Sequence, residues 1–165
     1  MHLNHPTFEN IEWSWTQNLE NTTDIINQLI DQHTLVSDKL LPEIDMHFWA
    51  LMNNNTSIDN DLIKDVYEIF ISYKEQLEDH FYFEEKLVFP AFLKQSKTLD
   101  EVTLSFIQKH EDFESLLGLM ITEIQSNLAP LRDLMSLRML ELKLARLVQI
   151  MEMHQILEDH LFEQH

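Results

Sequence analysis

A chain of 165 residues is long enough to bury one sizeable core and short for two. Its formal net charge of -18, from 29 acidic against 11 basic side chains, repels polyanions and so argues against DNA, RNA or an anionic membrane surface as partner. The absence of cysteine excludes disulfides, thiolate metal sites and redox thiols, and suits the cytosol.

One glycine and four prolines leave few of the breaks a sheet protein needs for its turns, so the class reads as all-α. The first residues, MHLNHPTFEN, lack the basic start and apolar run of a signal peptide. No later stretch approaches the roughly 18 apolar residues of a membrane span, which predicts a soluble, cytoplasmic protein. Residues 1–16 read as an N-terminal arm whose Phe8, Trp13 and Trp15 pack on the rest of the chain or lie at a subunit contact. Beyond it, NNNTSID (Asn53 to Asp59), KQSKTLD (Lys94 to Asp100) and SNLAPLRD (Ser126 to Asp133) are clusters of turn and capping residues, with Pro130 suited to the first turn of a new helix. None is long enough to be an inter-domain linker. The chain therefore reads as a single domain, 1–165, of four long helices joined by turns.

Each segment carries a seam of residues spaced alternately three and four apart, as in helices packed side by side. The first runs Leu19, Thr22, Ile26, Leu29, His33, Val36, Leu40. The second runs Ile63, Val66, Phe70, Tyr73, Leu77, His80, Glu84, Leu87, Ala91, and the third Phe106, His110, Phe113, Leu117, Met120, Ile124. The fourth runs Leu137, Leu140, Leu144, Leu147, Met151, His154, Glu158, Leu161. In an up-down-up-down four-helix bundle, facing residues on consecutive helices lie equally far from the turn between them. The midpoints between His33 and His80, between the His80/Glu84 pair and His110, and between His110 and His154 fall within the three turn clusters. Four histidines and two glutamates thus share one layer. The chain also reads as a duplicated unit, a lone histidine followed by His-x-x-x-Glu.

A single buried histidine is most simply a hydrogen-bonded core residue. Four imidazoles and two carboxylates stripped of water are different, since each unpaired ion costs several kcal/mol against the roughly 1 kcal/mol of a typical hydrogen bond. A cation removes the conflict. Imidazole nitrogen and carboxylate oxygen suit iron, manganese or zinc, and six ligands exceed what one tetrahedral zinc uses, so two metals fit better. Residues at i and i+4 lie about 5–6 Å apart at Cβ, letting each histidine cap one ion while its glutamate reaches across.

From Asn18 onward this order, a lone histidine, His-x-x-x-Glu, a third histidine and a final His-x-x-x-Glu, resembles the hemerythrin-like (HHE cation-binding) family. The resemblance implies a four-helix bundle around a non-haem di-iron centre, oxo- or hydroxo-bridged. His33, His80, His110 and His154 would be terminal ligands and Glu84 and Glu158 bridges. The wording of HFYFEEKLVFPAF (His80 to Phe92) and HQILEDHLF (His154 to Phe162) is also similar to the di-iron domain of iron-sulfur-cluster repair proteins. Those usually carry a further cysteine-containing N-terminal region, and this chain has no cysteine. Oxygen-carrying hemerythrins have a fifth histidine four residues after the third, where this chain has Glu114, either an extra ligand or a helix-flank residue. Asp159 fits the carriers' His-x-x-x-x-Asp spacing, but Glu158 falls on the seam and repeats Glu84.

His47, about 21 Å along a helix from His33, and His2, His5, His160 and His165 read as surface residues. Met46, Met52, Met120, Met135, Met139, Met151 and Met153 read as packing. The function expected is binding of a small diatomic molecule or peroxide in oxygen or nitric-oxide sensing, detoxification or iron-sulfur repair, with an iron store, donor or sensor without turnover as the alternative; haem would leave the glutamates unexplained.

Overall fold

The protein, here as a computed structural model, is described over residues 21–54, 60–94 and 110–163, the side chains of residues 110–112 excepted. The N-terminal arm, Leu19, Phe106 and most of the first two turn clusters lie outside the described residues.

Asn21 opens the first helix, its side-chain oxygen accepting the backbone N–H of Asp24 at 2.9 Å, which satisfies one of the orphan donors of the first turn. Helix α1 (Thr22–Leu35) passes through a π turn (Val36–Leu40) into α2 (Leu41–Asn54). Helix α3 (Asn60–Phe83) likewise passes through a π turn (Glu84–Val88) into the short α4 (Phe89–Leu93). Helix α5 (His110–Asn127) is followed by a 3-10 turn (Ala129–Leu131) and α6 (Met135–Glu163). Four rods result. The first packs on the second through α2–α3 and α1–α4, the second on the third through α3–α5, the third on the fourth through α5–α6, and the fourth returns to α1 and α2. This ring of consecutive neighbours is the up-down-up-down four-helix bundle, and no strand occurs among the described residues.

The seams form the core, with Leu29, Ile63, Phe70, Tyr73, Leu77, Met120, Leu140 and Leu147 fully buried. They separate into two apolar clusters. The larger fills the bundle from Val36 and Leu77 to Leu51 and Leu137. The smaller holds Ile25, Ile26, Leu29, Val88, Phe89, Phe92, Leu157 and Leu161.

The π turns correct the seam reading. A turn that closes i to i+5 inserts one extra residue and shifts the buried face by one position. Leu87 is accordingly 54% exposed and Val88 buried, and Phe92 is buried where Ala91 was expected. In the first rod Leu40 and Leu41 are both buried, and the face continues through Ile44, Phe48 and Leu51. Each π turn is followed, after one residue, by a proline, Pro42 or Pro90. Proline has no N–H to close an α turn, and its ring clashes with the carbonyl four residues back. Pro130 does not open α6. It sits in the 3-10 turn, whose bonds Leu131 N–H to Leu128 and Arg132 N–H to Ala129 continue the chain to Leu134 before the helix begins. Of the methionines, Met46 and Met135 are exposed, while Met120 is buried and Met52, Met151 and Met153 pack at the core edge.

Tyr73 has a buried hydroxyl with no hydrogen-bond partner, and burial pushes its ionisation upward. A buried unsatisfied hydroxyl costs about 1–3 kcal/mol. Tyr73→Phe is therefore expected to raise stability by about 1 kcal/mol, or about 2–4 °C in a thermal melt; a lower melting temperature would contradict this account.

Candidate metal centre

Among the described side chains, three rods deliver the polar layer between the two apolar clusters. His33 lies near the end of α1 and His80 near the end of α3. Glu84 opens the second π turn, and His154 and Glu158 stand one turn apart on α6. All five are 0–3% exposed.

Glu84 is the hub. Its Oε1 lies 3.0 Å from His80 Nε2, and its Oε2 lies 3.0 Å from His33 Nε2 and 3.5 Å from His154 Nε2. His154 Nε2 is also 3.7 Å from Glu158 Oε1. His80, Glu84, His154 and Glu158 each offer one ligand atom within 4.8 Å of the others, and His33 joins through Glu84. Aromatic rings close the layer. Phe81 stacks on His33 at 3.9 Å, Phe89 lies 5.7 Å from it, and Phe113 meets His80 edge-on at 5.1 Å.

The electrostatics call for positive charge. Burial alone would raise the Glu84 carboxyl, but the groups packed round it, Glu158 first and then His154, His33 and His80, hold it well below the ordinary carboxylate range. Burial alone would lower His154, yet Glu158 and Glu84 raise it to about 10. A proton or a metal ion could meet this demand. The geometry suits a metal: despite their closeness, His33 Nε2 and both Glu84 oxygens are not in hydrogen-bonding alignment, so their lone pairs converge on shared space. Two donors each about 2.1 Å from one ion, at right angles, stand about 3.0 Å apart.

Of the other expected site residues, His110 begins α5, but its side chain lies outside the described residues. Asp159 is exposed and accepts a hydrogen bond from Gln155 at 3.0 Å, whereas Glu158 is buried. Glu114 is exposed, lining a gap of about 30 Å³ with Tyr73, Phe113, Leu117, Met151 and Gln155. His47 and His160 are half-buried outside the layer, and His2, His5 and His165 lie outside the described residues. Sequence reasoning missed Glu85, whose Oε1 is 2.9 Å from His33 Nδ1. Its only signal was a second acid directly after Glu84.

A helical bundle with imidazoles and carboxylates converging at mid-core defines a cation-binding module. The chain belongs to the family of the hemerythrin HHE cation-binding domain, which it matches over residues 24–164. No curated protein and no solved structure matches it. No described helix is long and apolar enough to cross a membrane.

Proposed function

We propose that the layer holds two non-haem iron ions and binds a small diatomic molecule or peroxide there. His33, His80, His110 and His154 would hold them as terminal ligands, and Glu84 and Glu158 would serve as bridging carboxylates. The observation that carries this reading is Glu84, one of whose oxygens approaches His80 of its own rod and the other His33 of the neighbouring rod, each at 3.0 Å. A carboxylate so placed suits a bridge between two ions better than a ligand of one. The all-nitrogen-and-oxygen donor set, without sulfur, favours iron or manganese, and its size exceeds a closed tetrahedral zinc site. Bound iron would supply the redox and ligand-binding chemistry. The chain fixes the donors on rigid helices and excludes bulk water with Phe81, Phe89 and Phe113.

Protein purified from iron-supplied cells should contain two irons per chain and show near-ultraviolet or visible charge-transfer absorption that changes with oxygen or nitric oxide. A colourless preparation that also refuses ferrous iron under anaerobic conditions eliminates the reading. Stoichiometric oxygen uptake without catalytic consumption of nitric oxide or peroxide would instead favour an iron store or donor.

A further inference from the structure

We propose that Glu85 is a positioning residue for His33, fixing which ring nitrogen carries the hydrogen and so turning the Nε2 lone pair into the metal layer. Two consecutive glutamates address the two nitrogens of this one imidazole: Glu84 Oε2 lies 3.0 Å from Nε2 and Glu85 Oε1 lies 2.9 Å from Nδ1. Neighbouring residues of an α-helix point about 100° apart, and this pair stands at the start of the π turn Glu84–Val88, where the turn is wider. The first carboxylate enters the core and the second remains at its edge, 38% exposed.

A neutral imidazole has one N–H and one lone pair, and a carboxylate only accepts. Both nitrogens lie near a carboxylate, but only the Nδ1–Glu85 approach is in hydrogen-bonding alignment, so Nδ1 donates to Glu85 and Nε2 is left as the bare nitrogen facing Glu84. With the opposite tautomer, the Nε2 hydrogen would occupy the space a cation needs and Nδ1 would face Glu85 lone pair to lone pair. The Phe81 ring, stacked at 3.9 Å and 14°, holds the imidazole plane, so Glu85 sets the tautomer of a ring already fixed in orientation.

The consequence for affinity rests on the metal-layer reading; the tautomer does not. Carboxylates that orient a ligating histidine are typically worth about 10- to 100-fold in metal affinity. The test uses the full chain and two readouts. In chelator-treated, 15N-histidine-labelled protein, NMR should report His33 as the Nδ1–H tautomer, and Glu85→Ala should abolish that preference. Titration of ferrous iron against a competing chelator should show about 10- to 100-fold weaker binding for Glu85→Ala. Glu85→Gln, whose amide oxygen still accepts, should recover most of the affinity, and Glu78→Ala, an exposed acid on the same rod, should behave as wild type.

Retention of the Nδ1–H tautomer in Glu85→Ala overturns the proposal, as does unchanged iron affinity alongside a changed tautomer. If the wild type binds no iron, the metal reading fails and the tautomer measurement still decides the role of Glu85. Should Glu85→Ala fail to fold, a Glu85→Gln protein lacking the Nδ1–H tautomer would refute it equally.

Discussion

A variant with leucine at both Glu84 and Glu158 is expected to take up no metal, yet to be more stable than the chelator-treated parent by about 1–4 kcal/mol, the range found when buried ionic groups are replaced by apolar ones of similar size. Both positions lie on the seam, 0% and 2% exposed, in a bundle whose other seam residues are almost all apolar. Glu84 is flanked along its rod by Leu77 and Phe81 on one side and Val88 on the other, and Glu158 by Leu157 and Leu161, all buried. Leucine is close to glutamate in volume, so neither a large cavity nor overpacking is introduced. Removing both acids also removes the reason for the neighbouring imidazoles to be charged, since a neutral histidine can remain in the core without a counter-ion.

Replacing one acid alone would leave the other carboxylate unbalanced, which is why the double variant is the cleaner comparison. Metal content and urea denaturation, both in excess chelator, check the prediction. A double variant less stable than the chelated parent would mean that the carboxylates hold the bundle together on their own, and the layer would lose its character as a stability cost retained for binding.

How much of this could be read without coordinates differs along each rod. Ahead of the polar layer the helices are regular, and the three-four spacing located Ile63, Val66, Phe70, Tyr73, Leu77 and His80 on one buried face. Past it the spacing failed by one residue, at Leu87 against Val88 and at Ala91 against Phe92, because periodicity assumes an unbroken α-helix and the π turn adds a residue. Pro42 and Pro90 were the visible signals for both wide turns. A proline inside an apolar periodic segment forces the helix to stop, kink or widen. Glu85 was hidden for another reason. Its partner His33 is on a different rod, 52 positions earlier, and the spacing within a helix says nothing about a contact made across two helices.

The exposed Met46 and Met135 were misread because composition alone cannot tell a flexible apolar residue in a core gap from one on a surface. Asp159 against Glu158 was settled as to burial by the helix period itself: one residue is 100° of rotation, enough to move a carboxylate from the core to solvent.

Metal removal is expected to act most strongly on one end of the bundle. The polar layer divides the apolar core, and the smaller cluster, Ile25, Ile26, Leu29, Val88, Phe89, Phe92, Leu157 and Leu161, lies on its far side from the larger one. Among the described residues three rods meet in that smaller cluster, and the same three give the neighbouring layer His33, the His80/Glu84 pair and the His154/Glu158 pair. A cation there would tie these three rods together beside the smaller cluster. An ion binding only the folded state at about 100 times its dissociation constant adds about 2.7 kcal/mol. Two ions would raise the melting temperature of a domain this size by about 10–20 °C over chelator-treated protein.

Cooperative units open according to their own contacts, so the loss should be uneven. In hydrogen exchange, chelation should speed the amides of Ile25–Leu29, Val88–Phe92 and Leu157–Leu161 well before those of Val66–Tyr73 or Leu140–Leu147, which lie in the larger cluster. Equal acceleration of both clusters, or the same melting temperature with and without chelator, would show that the layer does not act as a metal-dependent clasp between two parts of the core.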